Sequence, residues 1–349
     1  MKKSRKAKHG RSKEKRKDAR LISLAMVVDH LGFPKYSRFY EGNVSEPQTL
    51  LDLLKEMKQK TGNQDTRPIV VIDAGIATTE NLAKLREAGY DYIAVSRSKL
   101  RSYEVAQGST TELVNQQGHS ISLKDLACEI DTKDRLIYVK SPFKAKKETA
   151  IKDKLTQRFF TDLQADKAAL NKRRGTKKIE RVHQRIGRIK QKHSRVAKHY
   201  HILLKEDPQK GIITDLNWEY RPPNHPEEGV YFIQTSLQEL NEKRIWKLYA
   251  TLTEVESAFR TLKTDLSIRP VYHQTHQHIE AHLFLGVLAY YIVAIIRCQL
   301  KQKGLKYSWR ELVRIMDSQK IISNTFMDKQ GQRRFIRQCS KPSQQAREV

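Results

Sequence analysis

The chain has 349 residues, is 38% hydrophobic and carries a formal net charge of +28, with a sequence pI near 9.9. That length and apolar content suffice for two domains, or for one domain carrying a large insertion. A field of that sign disfavours basic partners and points to a polyanion such as nucleic acid or an anionic membrane surface.

The first residues, MKKSRKAKHGRSKEKRKDAR, hold 11 basic and 2 acidic side chains from Lys2 to Arg20 and no apolar core. They are not a signal peptide, and they read as a disordered basic arm, residues 1–20, that binds nucleic acid without sequence preference. Residues 21–46 read as an antiparallel hairpin turning at His30 to Pro34. A helix follows in SEPQTLLDLLKEMKQKTG, with Ser45 as N-cap, Pro47 early, Leu50, Leu51, Leu53, Leu54 and Met57 as its apolar face, and Gly62 closing it.

RPIVVIDAGIATTENL, residues 67–82, is a short β-branched strand that ends on Asp73. A turn or helix cap explains such an acid, and so does a reactive carboxylate. The helix TTENLAKLREAG and the strand YDYIAVSRS come next, so strand and helix alternate as in an α/β layered sheet. Between 99 and 235 the rhythm breaks. DRLIYVKS and GVYFIQTS read as strands around a charged stretch, 143–201, with 19 Lys and Arg against 5 Asp and Glu. Ile179, Val182, Ile186, Ile189 and Val196 recur there at helical spacing, and NKRRGTKK interrupts two helical patterns, giving a basic α-hairpin. A solvated face is one reading. The excess of cations favours a surface that faces DNA.

Leu248, Leu252, Val255, Phe259, Leu262 and Leu266 then form a helical stripe that should dock on a sheet. Tyr249, Glu256 and Lys263 are seven apart and lie on one line beside it, with Arg260 one turn beyond Glu256. Alone, that pattern is also ordinary surface charge pairing. The 14-residue run 283–296 is shorter than the roughly 20 apolar residues a membrane span needs, and reads as a buried helix. Cys128, Cys298 and Cys339 are scattered, which suggests neither a disulfide framework nor a zinc–thiolate site and suits a cytoplasmic protein. His273, His276, His278 and His282 have no acid or cysteine to complete a zinc set, so DNA contact or helix packing is expected of them. No Gly-rich phosphate loop occurs, leaving an ATP-driven mechanism unsupported.

The VVIDAG strand end, the Y-x2-L-x3-E-x6-K helix and SIRPVYHQTHQHIEAHLFLGVLAYYI after it resemble the DDE transposases of bacterial insertion sequences that bear a Tyr-Arg-Glu-Lys signature. HGRSKEKRKD, GFPKYSRFYEGNVSEPQTL, NKRRGTKKIERVHQRIGRIK and SWRELVRIM extend the likeness over nearly the whole chain. Leu252 stands where the signature has Arg, so a guanidinium contact to DNA is lacking unless Arg260 reaches the same phosphates.

The resemblance implies an RNase H-like mixed sheet with helices, interrupted by an insertion domain. Core pieces would fall at 21–98 and 236–300, the insertion at 99–235, and a C-terminal helical segment and tail at 301–349. It implies Asp73 and Glu256 as catalytic, metal-binding acids, and Tyr249, Arg260, Lys263, Arg173, Arg174, Lys177 and Lys178 as DNA contacts. Two magnesium ions about 4 Å apart would serve hydrolysis at the element ends and then strand transfer. The partner is insertion-sequence and target DNA, with a homodimer expected and no membrane. In the family the first acid lies on a strand before the RSKEKR-type segment, which begins here at residue 11; Asp18 and Asp29 flank the following strand. The resemblance thus implies that the first catalytic strand is missing, in a truncated and catalytically impaired copy. The alternative is a non-catalytic basic DNA-binding remnant or regulator of transposition.

Overall fold

The computed structural model describes residues 4–11, 18–61, 67–97, 104–105, 110–115, 118–127, 134–172, 175–221, 228–305 and 307–349. The chain is a mixed α/β protein that divides into two compact units, residues 1–93 with 246–349, and residues 94–245. The two divisions fall within the strand Asp91–Val95 and the helix Glu242–Ala250.

The first unit opens with β1 (Ile22–Val28) and β2 (Pro34–Glu41), antiparallel, with Tyr36 opposite Val27 and Glu41 opposite Ile22. Asp29 shapes the turn: its Oδ1 accepts the N–H groups of Leu31 at 2.9 Å and Phe33 at 3.0 Å. Burial pushes the Asp29 carboxyl up, but those two bonds and Lys35 outweigh it and hold the acid below its ordinary range. Next come α1 (Glu46–Thr61), β3 (Ile69–Ile72), α2 (Thr79–Glu87) and β4 (Asp91–Val95). Gly62, expected to close α1, lies outside the described residues. The strand β3 neighbours β4, and the Asp91 N–H donates to Pro68 O at 3.1 Å.

The second unit contains β5 (Glu104–Val105), β6 (Thr111–Val114), β7 (Ser120–Ala127) and β8 (Arg135–Lys140). The two helices α3 (Pro142–Asn171) and α4 (Ile179–Lys192) follow, then a short α5 (Ser194–Ala197), β9 (Tyr200–Asp207), β10 (Ile212–Tyr220) and β11 (Val230–Thr235). Strand β8 pairs antiparallel with β11 on one side and β7 on the other, and β5 and β6 both pair with β7. The end of β4 reaches β11 through Ser96 N–H, which donates to Phe232 O at 2.8 Å. The expected α-hairpin is present as α3 and α4. It closes a separate core with the β9–β10 ribbon, in which Phe159, Leu163, Val182, Ile213 and Leu216 are fully buried. The ribbon escapes the sequence reading because its alternation is diluted by charged residues in YHILLKED.

The chain leaves the second unit along α6 (Glu242–Ala250) and completes the first with α7 (Leu252–Arg260), a π-helical turn (Thr261–Asp265), α8 (His276–Gln302), α9 (Trp309–Met316), β12 (Ile321–Met327), β13 (Arg333–Cys339) and α10 (Gln344–Glu348). The expected helical tail at 301–349 thus contains a β-hairpin. Ala258, Leu262, Ile268, Leu283, Tyr290 and Met26 pack into one core, which docks α7 and the π turn onto α8 and the β1–β2 hairpin. Gly286 makes the close approach possible, since a Cβ there would sit 2.5 Å from Ile268 Cδ1.

Helix α8 is not buried all round, as its apolar run suggested. Ile279, Leu283, Val287 and Tyr290 face the core, while Phe284, Leu285, Leu288, Tyr291 and Ile292 are exposed. By length and composition it could cross a membrane, a test that core helices of soluble proteins also pass. Nor are residues 4–11 a free arm. Lys8 bridges Leu21, Ser4 N–H donates to Gln274 O at 3.0 Å, and Lys6 pairs with Glu280 at 2.7 Å.

Within this core Tyr290 donates its hydroxyl to Gly32 O at 2.8 Å, and burial pushes its phenol up to about 12. The stability this gives is complete below the ordinary value of 10.0 and is lost as pH rises from there to about 12. Tyr290→Phe should cost about 1–2 kcal/mol at pH 7, because it leaves a buried carbonyl unpaired. Urea midpoints at pH 8 and pH 11 check both statements; an alkaline loss equal in wild type and variant would overturn the second.

Candidate functional site

Asp73 follows the last residue of β3 and is exposed. Its backbone carbonyl accepts the N–H groups of Ile76 at 3.2 Å and Ala77 at 3.1 Å, and its Oδ1 accepts Ile76 N–H at 3.0 Å. The turn reading of this acid therefore holds for one oxygen. Among the described residues Oδ2 has no hydrogen bond, and it is the oxygen open to a ligand. Gly75 belongs to the same construction, since a Cβ there would lie 3.1 Å from Asp73 Oδ1. Asn81, buried at the start of α2, fixes the loop from behind by donating through Nδ2 to Ile76 O and Pro47 O, both at 2.9 Å. The helix itself is capped by Thr78, whose Oγ1 accepts Asn81 N–H at 3.1 Å.

Glu256 lies on α7, in the same unit as Asp73, and is exposed. The single line expected for Tyr249, Glu256 and Lys263 does not run along one uninterrupted α-helix. Thr251 separates α6 from α7, with its N–H and Oγ1 both bonded to Leu248 O, at 3.1 and 2.6 Å. Thr253 Oγ1 takes Ala250 O at 2.7 Å in the same way. Hydroxyls that compete for helix carbonyls bend the axis. Beyond Arg260 the helix widens into the π turn, where Leu266 N–H reaches back five residues to Thr261 O at 2.9 Å, a local winding that recurs at functional sites.

Tyr249 thus sits half-buried on α6, Arg260 exposed at the end of α7, and Lys263 on the π turn with Nζ 5.4 Å from the Phe259 ring centre. Glu254 points elsewhere, toward Lys301 at 3.6 Å.

On the second unit Lys177 and Lys178 join α3 to α4 and are pinned to the β9–β10 ribbon. Lys177 O accepts Ile213 N–H at 2.8 Å, and Lys178 bridges Ile212. Arg173 and Arg174 lie outside the described residues. Some cations of this stretch are neutralised locally, Arg185 by Asp166 at 2.7 Å and Lys192 by Asp162 at 2.7 Å. Arg181, Arg188 and Lys190 are exposed and have no acidic partner among the described residues.

The histidines have ordinary occupations. His282 Nε2 is 3.0 Å from Ile268 O, His276 is 3.5 Å from Glu280, and the His273 ring packs against those of His278 and His282. Among the described residues no three His, Cys, Asp or Glu side chains are grouped to hold a metal ion. Two exposed carboxylates suit a hard cation in kind, but by themselves they do not amount to a complete two-ion centre.

The sequence reading missed a second cluster. Arg135, on β8, forks onto Asp125 of β7 with Nε–Oδ1 at 2.8 Å and Nη2–Oδ2 at 2.7 Å. It also reaches Glu242, the first residue of α6, at 2.8 Å and the carbonyl of Leu240. Its signal was an arginine opening an apolar strand, which is visible only once its partners are.

A family model described as the transposase DDE domain matches residues 2–292. No curated protein matches the chain. The match ends inside α8 and spans most of the chain, including Asp73 and the Glu256 helix, so the protein belongs to the family of transposases with a DDE domain.

Proposed function

We propose that this chain acts on the DNA of a bacterial insertion sequence by metal-dependent hydrolysis at the element ends followed by strand transfer, with Asp73 and Glu256 as two of the acids. The observation that carries the reading is Asp73 itself: a strand-end carboxylate held rigidly through one oxygen while the other is open, in the unit that also carries the Glu256 helix. Magnesium is the expected cation for these oxygens. When bound it would activate the attacking oxygen and stabilise the leaving one. Tyr249, Arg260 and Lys263 are proposed to hold the terminal DNA backbone. Arg173, Arg174, Lys177 and Lys178 would meet DNA along the basic helical pair.

An RNase H-like core with residues 99–235 as its insertion, a homodimeric assembly and a cytoplasmic location complete the proposal. No residue of the sequence is assigned to the trio's first acid, so activity well below that of a complete set is expected. A second reading is a basic remnant or regulator of transposition that binds DNA without catalysis, and the net charge of +28 supports it.

The test is nicking of duplex DNA by the purified chain with and without magnesium. The catalytic reading expects magnesium-dependent nicking that falls to background in Asp73→Asn and in Glu256→Gln. Binding that weakens steeply with salt, with no nicking or with nicking indifferent to both substitutions, gives the second reading instead.

A further inference from the structure

The hairpin of β12 and β13 lies beyond residue 292, where the family match stops. All fourteen of its strand residues are exposed. A two-stranded ribbon with no covered face is marginal in water on its own, so its burial is to be completed by something else. The composition says what. The strands read IISNTFM and RRFIRQC, three arginines and no acid.

Register sorts the residues by face. Arg333 pairs with Met327, Phe335 with Thr325 and Arg337 with Ser323, so one face presents two arginines on either side of an aromatic ring that is 65% exposed. The third arginine, Arg334, is on the other face and is held by Asp328 at 2.9 Å. Asp328 also closes the turn, accepting the N–H groups of Gln330 at 2.9 Å and Gln332 at 2.8 Å. Arg333 and Arg337 have no acidic partner among the described residues.

We infer that the β12–β13 ribbon is a nucleic-acid-binding element that lies in a groove of duplex DNA with the Arg333–Phe335–Arg337 face inward. Four residues of strand put the Cα atoms of Arg333 and Arg337 about 13 Å apart along the ribbon, and the major groove, roughly 12 Å wide, admits a two-stranded ribbon. Arg333 and Arg337 take phosphates of the groove's walls. Thr325, Ser323 and Phe335 lie between them, where hydroxyls and a ring can meet base edges and thymine methyl groups. A second copy of the chain is the other candidate occupant, and the unpaired cations argue against it: like charges would face each other across a symmetric contact.

The inference rests on the DNA reading above and adds a site that this reading does not contain. The test measures binding of the whole chain to an arbitrary 30-base-pair duplex by fluorescence anisotropy across a salt series, for wild type, R333A/R337A and R333K/R337K. Loss of two phosphate contacts should flatten the plot of log affinity against log salt by about 1.8 and weaken binding tens-fold at 0.1 M salt, with the lysine pair close to wild type. If wild type binds no duplex, the DNA reading falls and this inference with it. If wild type binds and the alanine pair has the same slope, the inference alone is overturned. A drop in sedimentation mass of the alanine pair, with DNA binding unchanged, also overturns it and gives the ribbon to a second copy.

Discussion

Arg135→Ala should lower the stability of the second unit by about 2–4 kcal/mol, because it strands two carboxylates that one guanidinium now serves. The side chains of Arg135, Asp125 and Glu242 are 16%, 33% and 22% exposed, so solvent at the rim keeps the loss below that of a fully buried pair. The loss of the bond to Leu240 O adds to it. Arg135→Lys should recover only part, since an ammonium cannot fork onto Asp125 while holding Glu242.

The two acids differ in direction. Burial raises the Asp125 carboxyl, and the bonds from Arg135 and Glu242 outweigh burial and hold it low. Glu242 is held high, first by its hydrogen bond to Asp125 and then by burial. The stabilisation owed to Asp125 is therefore present above its ordinary 3.8 and fades as pH falls below that value. Thermal midpoints of wild type and both variants at pH 7 and pH 3.5 check this. A wild-type advantage over Arg135→Ala that is as large at pH 3.5 as at pH 7 would remove the Asp125 argument.

Phe159→Ala should cost about 3–5 kcal/mol by opening a cavity at the centre of the helical subdomain. The ring is fully buried and packs against Phe160, His193 and Tyr200, with ring centres 6.1, 5.7 and 5.7 Å away. It joins α3, the end of α4 and β9, so collapse around the void would have to move three elements at once. Urea unfolding followed by tryptophan fluorescence in a background with Trp246 and Trp309 replaced by Phe, so that it reports on Trp218, which stacks on Phe160 at 5.6 Å, reads the loss. A shift under about 1 kcal/mol would mean that the hairpin and ribbon do not share one core. The unit carrying the basic helices would then be looser than their burial implies.

Much of the framework was legible in the residues. The β1–β2 hairpin, α1, the strand ending at Asp73, α2, β4, β8, β11 and the α3–α4 pair all follow from periodicity and caps, because each buries one face at a regular period. The β9–β10 and β12–β13 ribbons did not, since charged and polar residues break their alternation and their partners are supplied by register. The helix around Glu256 was legible as an apolar stripe but not in its winding. Hydroxyl bonds at Thr251 and Thr253 and the wide turn after Arg260 depend on which carbonyls are free, and spacing cannot count those. Asp73 could be found as an acid at a strand end, whereas its division into one engaged and one open oxygen depends on where the turn places the Ile76 N–H.

The one-sided burial of α8 ties the molecule's solubility to its counterions. At low ionic strength a net charge of +28 keeps copies apart. Added salt shortens that repulsion to about 8 Å at physiological strength and leaves the attraction between stripes of Phe284, Leu288 and Ile292 untouched. Colloidal stability should therefore decline over the same range of salt that loosens the grip on a polyanion.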